Sequence, residues 1–283
     1  MDVRDTVLTQ EKINRYIAYL QEQERSVATI QKYTHDLTAF HKYLCGTAIT
    51  KPALIAWKQQ LADSYAPASV NSMLAAVNGF LSFMGWSDMA VKPLKIQRTI
   101  FVDEQRELSR LEYERLVKAA ERVENERLAL VIQTICATGI RVSELRYITV
   151  EAIQAGRAMI ANKGKRRVVF LPGQLRKLLR AYAKKQKKSA GPVFTTRTGR
   201  PLNRSNIWRD MKQLCKFAGV AEEKVFPHNL RHLFARTFYN LERDISRLAD
   251  ILGHSSINTT RIYTAESGNV HAHQVERMKL IIT

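Results

Sequence analysis

Apolar residues recur at helical spacing through most of the first ninety positions, and this period restricts the fold more than any other feature. Ile13, Tyr16, Ile17 and Leu20 follow Thr9, and Ile30, Tyr33, Leu37, Phe40 and Leu44 follow Ser26. Side chains three and four positions apart share a helix face, so each run presents one stripe to a core. Thr9 suits a helix N-cap, with Lys12 where a capping-box glutamate would stand, so the box is incomplete. Gly46 stops the second run, and similar patterns cover residues 51–64 and 66–84. Four helices of this kind form a compact bundle.

The period is lost over residues 92–106, where Pro93 halts a helix and charges mix with β-branched residues. This stretch reads as a linker, giving a helical domain over 1–98, a connection to about 106, and a second domain over 107–283. Helices are expected from near Ser109 and over 124–137. The pattern then changes: 152–153, 158–160 and 168–171 read as short strands, with Asn162-Lys163-Gly164-Lys165 as a hairpin turn. Helical spacing resumes over 174–188, 203–217, 228–240, 245–252 and 256–263, and a last helical segment lies in the tail, 268–283. The expected fold is mainly α with a small antiparallel β-sheet.

Charge is the first pointer to function. Lys and Arg number 45 against 26 Asp and Glu, a net charge of +19. Only +3 of this falls in residues 1–98, leaving +16 for the remainder. Such a surface attracts polyanions, nucleic acid above all. The three cysteines, Cys45, Cys136 and Cys215, form no CxxC and no disulfide framework. Cys136, in a mostly apolar run, reads as core. The N-terminus carries no apolar signal region, and no run approaches the ~18 apolar residues of a membrane helix. A bacterial cytoplasmic location, at the nucleoid, is the expectation.

Four segments carry residues suited to phosphate chemistry. Arg141 and Glu144 lie in Thr138-Gly139-Ile140-Arg141-Val142-Ser143-Glu144-Leu145. Lys163 sits in the hairpin turn. His228, Arg231 and His232 follow Pro227, and His254 precedes Tyr263 by nine residues. A guanidinium forks onto two phosphate oxygens, and an imidazole one turn away suits proton transfer. Taken singly, each residue has a plainer reading: Arg141 in an ion pair with Glu144, Lys163 as a solvated tip, Tyr263 as packing. His228 and His232 are four apart, as in a zinc helix, but Asn229 stands where the H-E-x-x-H pattern needs its glutamate. No metal is expected. No Walker-A segment and no carboxylate cluster occur either, so no cofactor is expected.

The order Arg141, Lys163, His228-x-x-Arg231, Leu252-Gly253-His254 and Tyr263 resembles the tyrosine recombinases, the lambda-integrase family. The resemblance is strong over about 109–264 and weaker over 9–90, where the helices look like that family's core-binding domain. It implies that Arg141 and Arg231 clamp the scissile phosphate and that Tyr263 attacks it, leaving a 3′-phosphotyrosine and a free 5′-hydroxyl. It further implies that Lys163 protonates the leaving oxygen, that His228 assists proton transfer, and that His254 holds the phosphate. Glu144 would orient the basic groups, and His232 reads as structural. The implied partners are double-stranded DNA, gripped by the two domains as a C-shaped clamp, and a homo-tetramer on two DNA sites. An accessory DNA-bending protein or a partner recombinase also fits. The apolar end of the tail, Leu280-Ile281-Ile282, is expected to pack into a neighbouring protomer. The helical pattern starts almost at once, so the extra arm-binding domain of some members is expected to be absent. The layout is similar both to the short bacterial recombinases of the Xer type and to integrases of simple mobile elements. Two alternatives stay open on sequence: type IB topoisomerase-like activity, and a non-catalytic DNA-binding regulator on the same fold.

Overall fold

The computed structural model describes residues 5–96, 104–162, 165–254, 256–263 and 276–278. It divides into two compact units, Met1–Arg98 and Thr99–Thr283. Lys163, and the tail apart from 276–278, therefore lie outside the described residues. Among the described residues, no helix is long and apolar enough to cross a membrane.

The first unit is built from α1 (Gln10–Glu22), α2 (Val27–Leu44), α3 (Lys51–Ser64) and α4 (Pro67–Phe83). Each of the first three begins at a hydroxyl cap: Thr9, Ser26 and Thr50 accept from the backbone N–H of Lys12, Thr29 and Ala53. The stripes read from sequence form the core, with Ile13, Leu37, Phe40, Leu74 and Phe80 fully buried beside Tyr16 and Trp57. Each such side chain contributes about 1.5–3 kcal/mol by leaving water. The Tyr16 ring meets Phe80 edge-on at 5.7 Å, and burial pushes its phenol up to about 12. The start of the stretch read as linker is fastened to α4. Asn78 accepts from Val91 N at 3.1 Å, and Asn71 accepts from Leu94 N at 2.7 Å.

The second unit begins with a turn at Glu104–Arg106, then α5 (Arg110–Arg122) and α6 (Glu126–Thr138). Ser109 and Glu112 complete a capping box on α5. A 3-10 turn (Val142–Tyr147), α7 (Val150–Ala155) and the hairpin of β1 (Arg157–Asn162) and β2 (Lys165–Phe170) follow. Then come α8 (Gly173–Lys185), α9 (Arg204–Ala218), α10 (Pro227–Glu242), α11 (Ile245–Leu252) and α12 (Ile257–Thr260). Residues 152–153, expected to be a strand, are helical in α7. Thr149 caps that helix by accepting from Ala152 N, and Gly156 closes it in a left-handed conformation at φ 73°. Two apolar neighbours between a threonine and a glycine fit one short helical turn as well as a strand. Cys136 packs against the core of this unit, and burial pushes its thiol up to about 12.

The strands pair antiparallel, Arg157 with Phe170 through to Asn162 with Lys165. Ala158, Ile160 and Val169 face the core, while Met159, Val168 and Phe170 face outward. In this register Arg167 lies opposite Ile160, on the inward face. A slip by one residue would turn the whole set over.

Candidate active site

Helix α6 stops at Gly139, whose φ of 65° is left-handed. A Cβ there would collide with the Phe234 ring of α10, so the chain passes close against that helix. The turn presents Arg141, whose backbone N–H donates to Glu144 Oε2 at 2.8 Å and whose Nη1 donates to Oε1 at 3.0 Å. Arg141 keeps 36% of its side-chain surface exposed, while Glu144 is almost wholly buried.

Glu144 has a second cation, absent from the sequence-derived set. Arg167 Nη2 donates to Glu144 Oε2 at 2.7 Å, and Nη1 donates to the Leu252 carbonyl at 2.9 Å. The Arg167 side chain also lies flat on the Gly253 backbone, where a Cβ would sit 2.6 Å from Nη1. The strand read from sequence began at Val168, one residue too late to include Arg167. Its alternation with Val169 was the signal that places it inward.

Pro227 fixes the first turn of α10. His228 and Arg231 follow one turn apart on that helix. Arg231 is 1% exposed. It donates to the Gly139 and Leu252 carbonyls and contacts His254 Nε2 at 3.0 Å. A guanidinium can only donate, so His254 Nε2 accepts. The proton is thereby assigned to Nδ1, which donates to Thr260 Oγ1 at 2.8 Å. Helix α11 ends at Gly253 in a left-handed conformation, which turns His254 back toward Arg231.

A turn at Arg261–Tyr263 after α12 delivers Tyr263. It is 3% exposed. Its ring lies nearly parallel to His254 at 5.9 Å, 19° apart, and edge-on to His232 at 4.7 Å. Tyr263 also neighbours the Arg231 guanidinium and favours its charge. A cleft of about 660 Å³ is lined by Arg141, Ser143, Arg204, Trp208, His228 and Arg231, among others. Arg204 and Trp208 were not among the residues singled out in the sequence.

Electrostatics follow from this crowding. Burial, then the neighbouring His232, Arg231, Arg141 and Arg204, lowers His228 to about 4. Burial, with Arg231, Arg141 and Arg167 nearby, lowers His254 to about 4 as well. Burial and Arg141 draw even Arg231 down to about 10, against the opposing influence of Tyr263. At neutral pH the two imidazoles are therefore uncharged and the arginines charged. The structure thus brings Arg141, Glu144, His228, Arg231, His254 and Tyr263 into one region. Lys163, between β1 and β2 in sequence, lies outside the described residues.

A helical bundle joined to a hairpin-bearing helical unit carries arginines and neutral imidazoles around a cleft beside a phenol, a set of groups suited to breaking and remaking a phosphodiester. Comparison with known proteins agrees. The phage integrase family matches residues 106–269, and the family's N-terminal SAM-like domain matches residues 13–87. Tyrosine recombinase XerA of Pyrococcus furiosus is 27% identical over 99% of this chain and 98% of its own. Tyrosine recombinase XerD of Agrobacterium fabrum is 30% identical over 85% and 86%. A XerH site-specific recombinase bound to difH shares the fold at a TM-score of 0.70 and 21% identity, covering 96% of this chain and 90% of that one. A lambda integrase tetramer bound to a Holliday junction does so at 0.72 and 18%, covering 92% and 78%. The chain belongs to the phage integrase family and is a tyrosine recombinase, an enzyme of site-specific DNA recombination.

Proposed function

We propose that this recombinase cuts and rejoins duplex DNA with Tyr263 as nucleophile, Arg141 and Arg231 as the clamp on the scissile phosphate, and His228, His254 and Lys163 in support. The observation that carries the reading is that Arg141, His228 and Arg231 line one cleft while Tyr263 lies beside Arg231. The phenolate oxygen attacks phosphorus, the bond to the 5′-oxygen breaks, and Lys163 supplies the proton that makes the 5′-hydroxyl. Charge building on the non-bridging oxygens meets two fixed guanidiniums, which need no reorganisation during the step. His228, neutral near pH 7 because its value lies at about 4, can accept a proton as the phenol ionises. His254 bonds a phosphate oxygen by donating from Nε2, which requires the proton held on Nδ1 against Thr260 in the free enzyme to move to Nε2. Glu144 fixes Arg141 from beneath and takes no part in proton transfer. The phosphotyrosine conserves the energy of the diester, so rejoining by a 5′-hydroxyl needs no nucleotide.

The partner is double-stranded DNA, in keeping with the net charge of +19. The working assembly is a tetramer on two DNA sites, supported by the fold shared with the lambda integrase tetramer on a Holliday junction. The first unit is the core-binding domain and the second the catalytic domain. The protein works in the cytoplasm, on nucleoid DNA.

The test uses a duplex selected from a random pool by binding to the protein, nicked so that cleavage cannot be reversed, in the presence of EDTA. A covalent protein–DNA adduct is expected with the wild type and none with Tyr263→Phe. An adduct from Tyr263→Phe overturns the nucleophile assignment, and loss of the adduct in EDTA alone overturns the metal-free step.

A further inference from the structure

One imidazole beside Tyr263 has no part in the mechanism above. The His232 ring meets the Tyr263 ring at 4.7 Å and 85°, and lies 4.5 Å from the ring of His228, one turn back on α10. His254 lies nearly parallel to the same phenol. One near-parallel and one perpendicular neighbour together define the plane of the Tyr263 ring.

His232 is itself pinned. Its Nδ1 lies 3.3 Å from Glu107 Oε1, and a carboxylate only accepts, so the proton sits on Nδ1. Burial would raise the Glu107 carboxyl, but the His232 hydrogen bond and the Arg236 charge outweigh it and hold the carboxyl below its usual range. Glu107 is held in turn by α10. Arg236 Nη2 stands 3.1 Å from Oε2 and donates to the Leu108 carbonyl at 2.7 Å. Asn229 donates to the Arg106 carbonyl at 2.7 Å. His232 Nε2 is buried with no partner among the described residues. An apolar ring would fill that space without stranding a polar atom, so packing alone does not account for a histidine here.

We propose that Glu107 and His232 position the nucleophile: Glu107 fixes the tautomer and plane of His232, and His232 sets the angle at which the Tyr263 phenol faces Arg231 and the phosphate. His232 acts through Tyr263 and is a positioning residue. The inference rests on the assignment of Tyr263 as nucleophile made above.

Two reactions on the selected DNA site separate this role from general support of the cleft. Cleavage of the nicked duplex needs the phenol. Joining of a strand ending in a 3′-p-nitrophenyl phosphodiester does not: a 5′-hydroxyl attacks phosphorus and p-nitrophenolate leaves, so it can be run in a Tyr263→Phe background. His232→Ala and Glu107→Ala are each expected to slow cleavage about tenfold at saturating protein, while DNA affinity and joining stay within about twofold. The double variant is expected to be no slower than either single one, because the two residues act as one unit. Glu107→Gln, which still accepts from Nδ1, is expected to restore at least half the rate. Equal losses in cleavage and joining, or unchanged cleavage, would overturn the proposal. An adduct from Tyr263→Phe would instead sink the nucleophile assignment, whatever His232 does.

Discussion

Glu144 offers the most quantitative test of how the site is held together. Its carboxylate is 2% exposed and accepts from two arginines, of which Arg167 is itself only 13% exposed. Glu144→Gln keeps the size but turns one acceptor oxygen into a donor and leaves the Arg167 charge without its counterion. Breaking a buried pair on one side costs about 3–5 kcal/mol. Arg141, at 36% exposure, reaches solvent and adds little to that cost. Arg167→Met breaks the pair from the other side at a lower cost of about 2–3 kcal/mol, because Glu144 keeps its two bonds from Arg141. The Leu252 carbonyl stays satisfied by Arg231. Removing both partners strands no buried charge, so the double variant is expected to lose at least about 2 kcal/mol less than the sum of the single losses. Opening free energies from hydrogen exchange at the most protected amides of α6 report on the second unit alone. Losses that add within about 0.5 kcal/mol would refute the coupling and with it the role of Arg167.

The histidines predict a pH dependence of stability. Folded His228 and His254 titrate near 4, whereas unfolded histidine titrates near ~6.5. The unfolded chain thus binds more protons between these values, and stability present above about 6.5 is lost as pH falls toward 4. Chemical unfolding followed across pH 4–7 should show this slope, and His228→Gln should reduce it by up to about one proton; an unchanged slope would place the effect elsewhere. Gly139→Ala should destabilise the second unit by about 1–3 kcal/mol through its left-handed backbone alone, with more from the collision with Phe234. It should also slow cleavage, because Arg231 is anchored on the Gly139 carbonyl. Unaltered melting and cleavage rate would show that the turn relaxes freely.

The helices were legible because their signals are local. Thr9, Ser26 and Thr50 cap where hydroxyls precede apolar stripes, and α3 and α11 begin and end where their spacing does. Residues 152–153 were misread because two apolar positions carry no period. The candidate site residues stood out in sequence as an ordered set of chemical types, and all but Lys163, which lies outside the described residues, come together in one region. What holds them did not. Arg167 reaches Glu144 across 23 positions and Leu252 across 85, and Glu107 reaches His232 across 125. Such pairs depend on strand register and helix packing, which no local window contains.

This supporting layer also answers an electrostatic difficulty. Arg141, Arg167 and Arg231 each depress the pKa of His254, a sign that their fields overlap. Three like charges so close would drift apart if they were held by side-chain packing alone. Glu144 offsets two of them. The third, Arg231, is bound by the Gly139 and Leu252 carbonyls, which bring acceptor dipoles without a second buried anion. Carbonyls fix the guanidinium while leaving its charge available. The left-handed glycines at 139 and 253 permit this: the Gly139 carbonyl faces Arg231 in a turn where a Cβ would strike Phe234, and a Cβ at Gly253 would strike Arg167. The backbone turns flanking Arg141 and His254 are thus part of the electrostatics of the proposed phosphate site and not merely its scaffold.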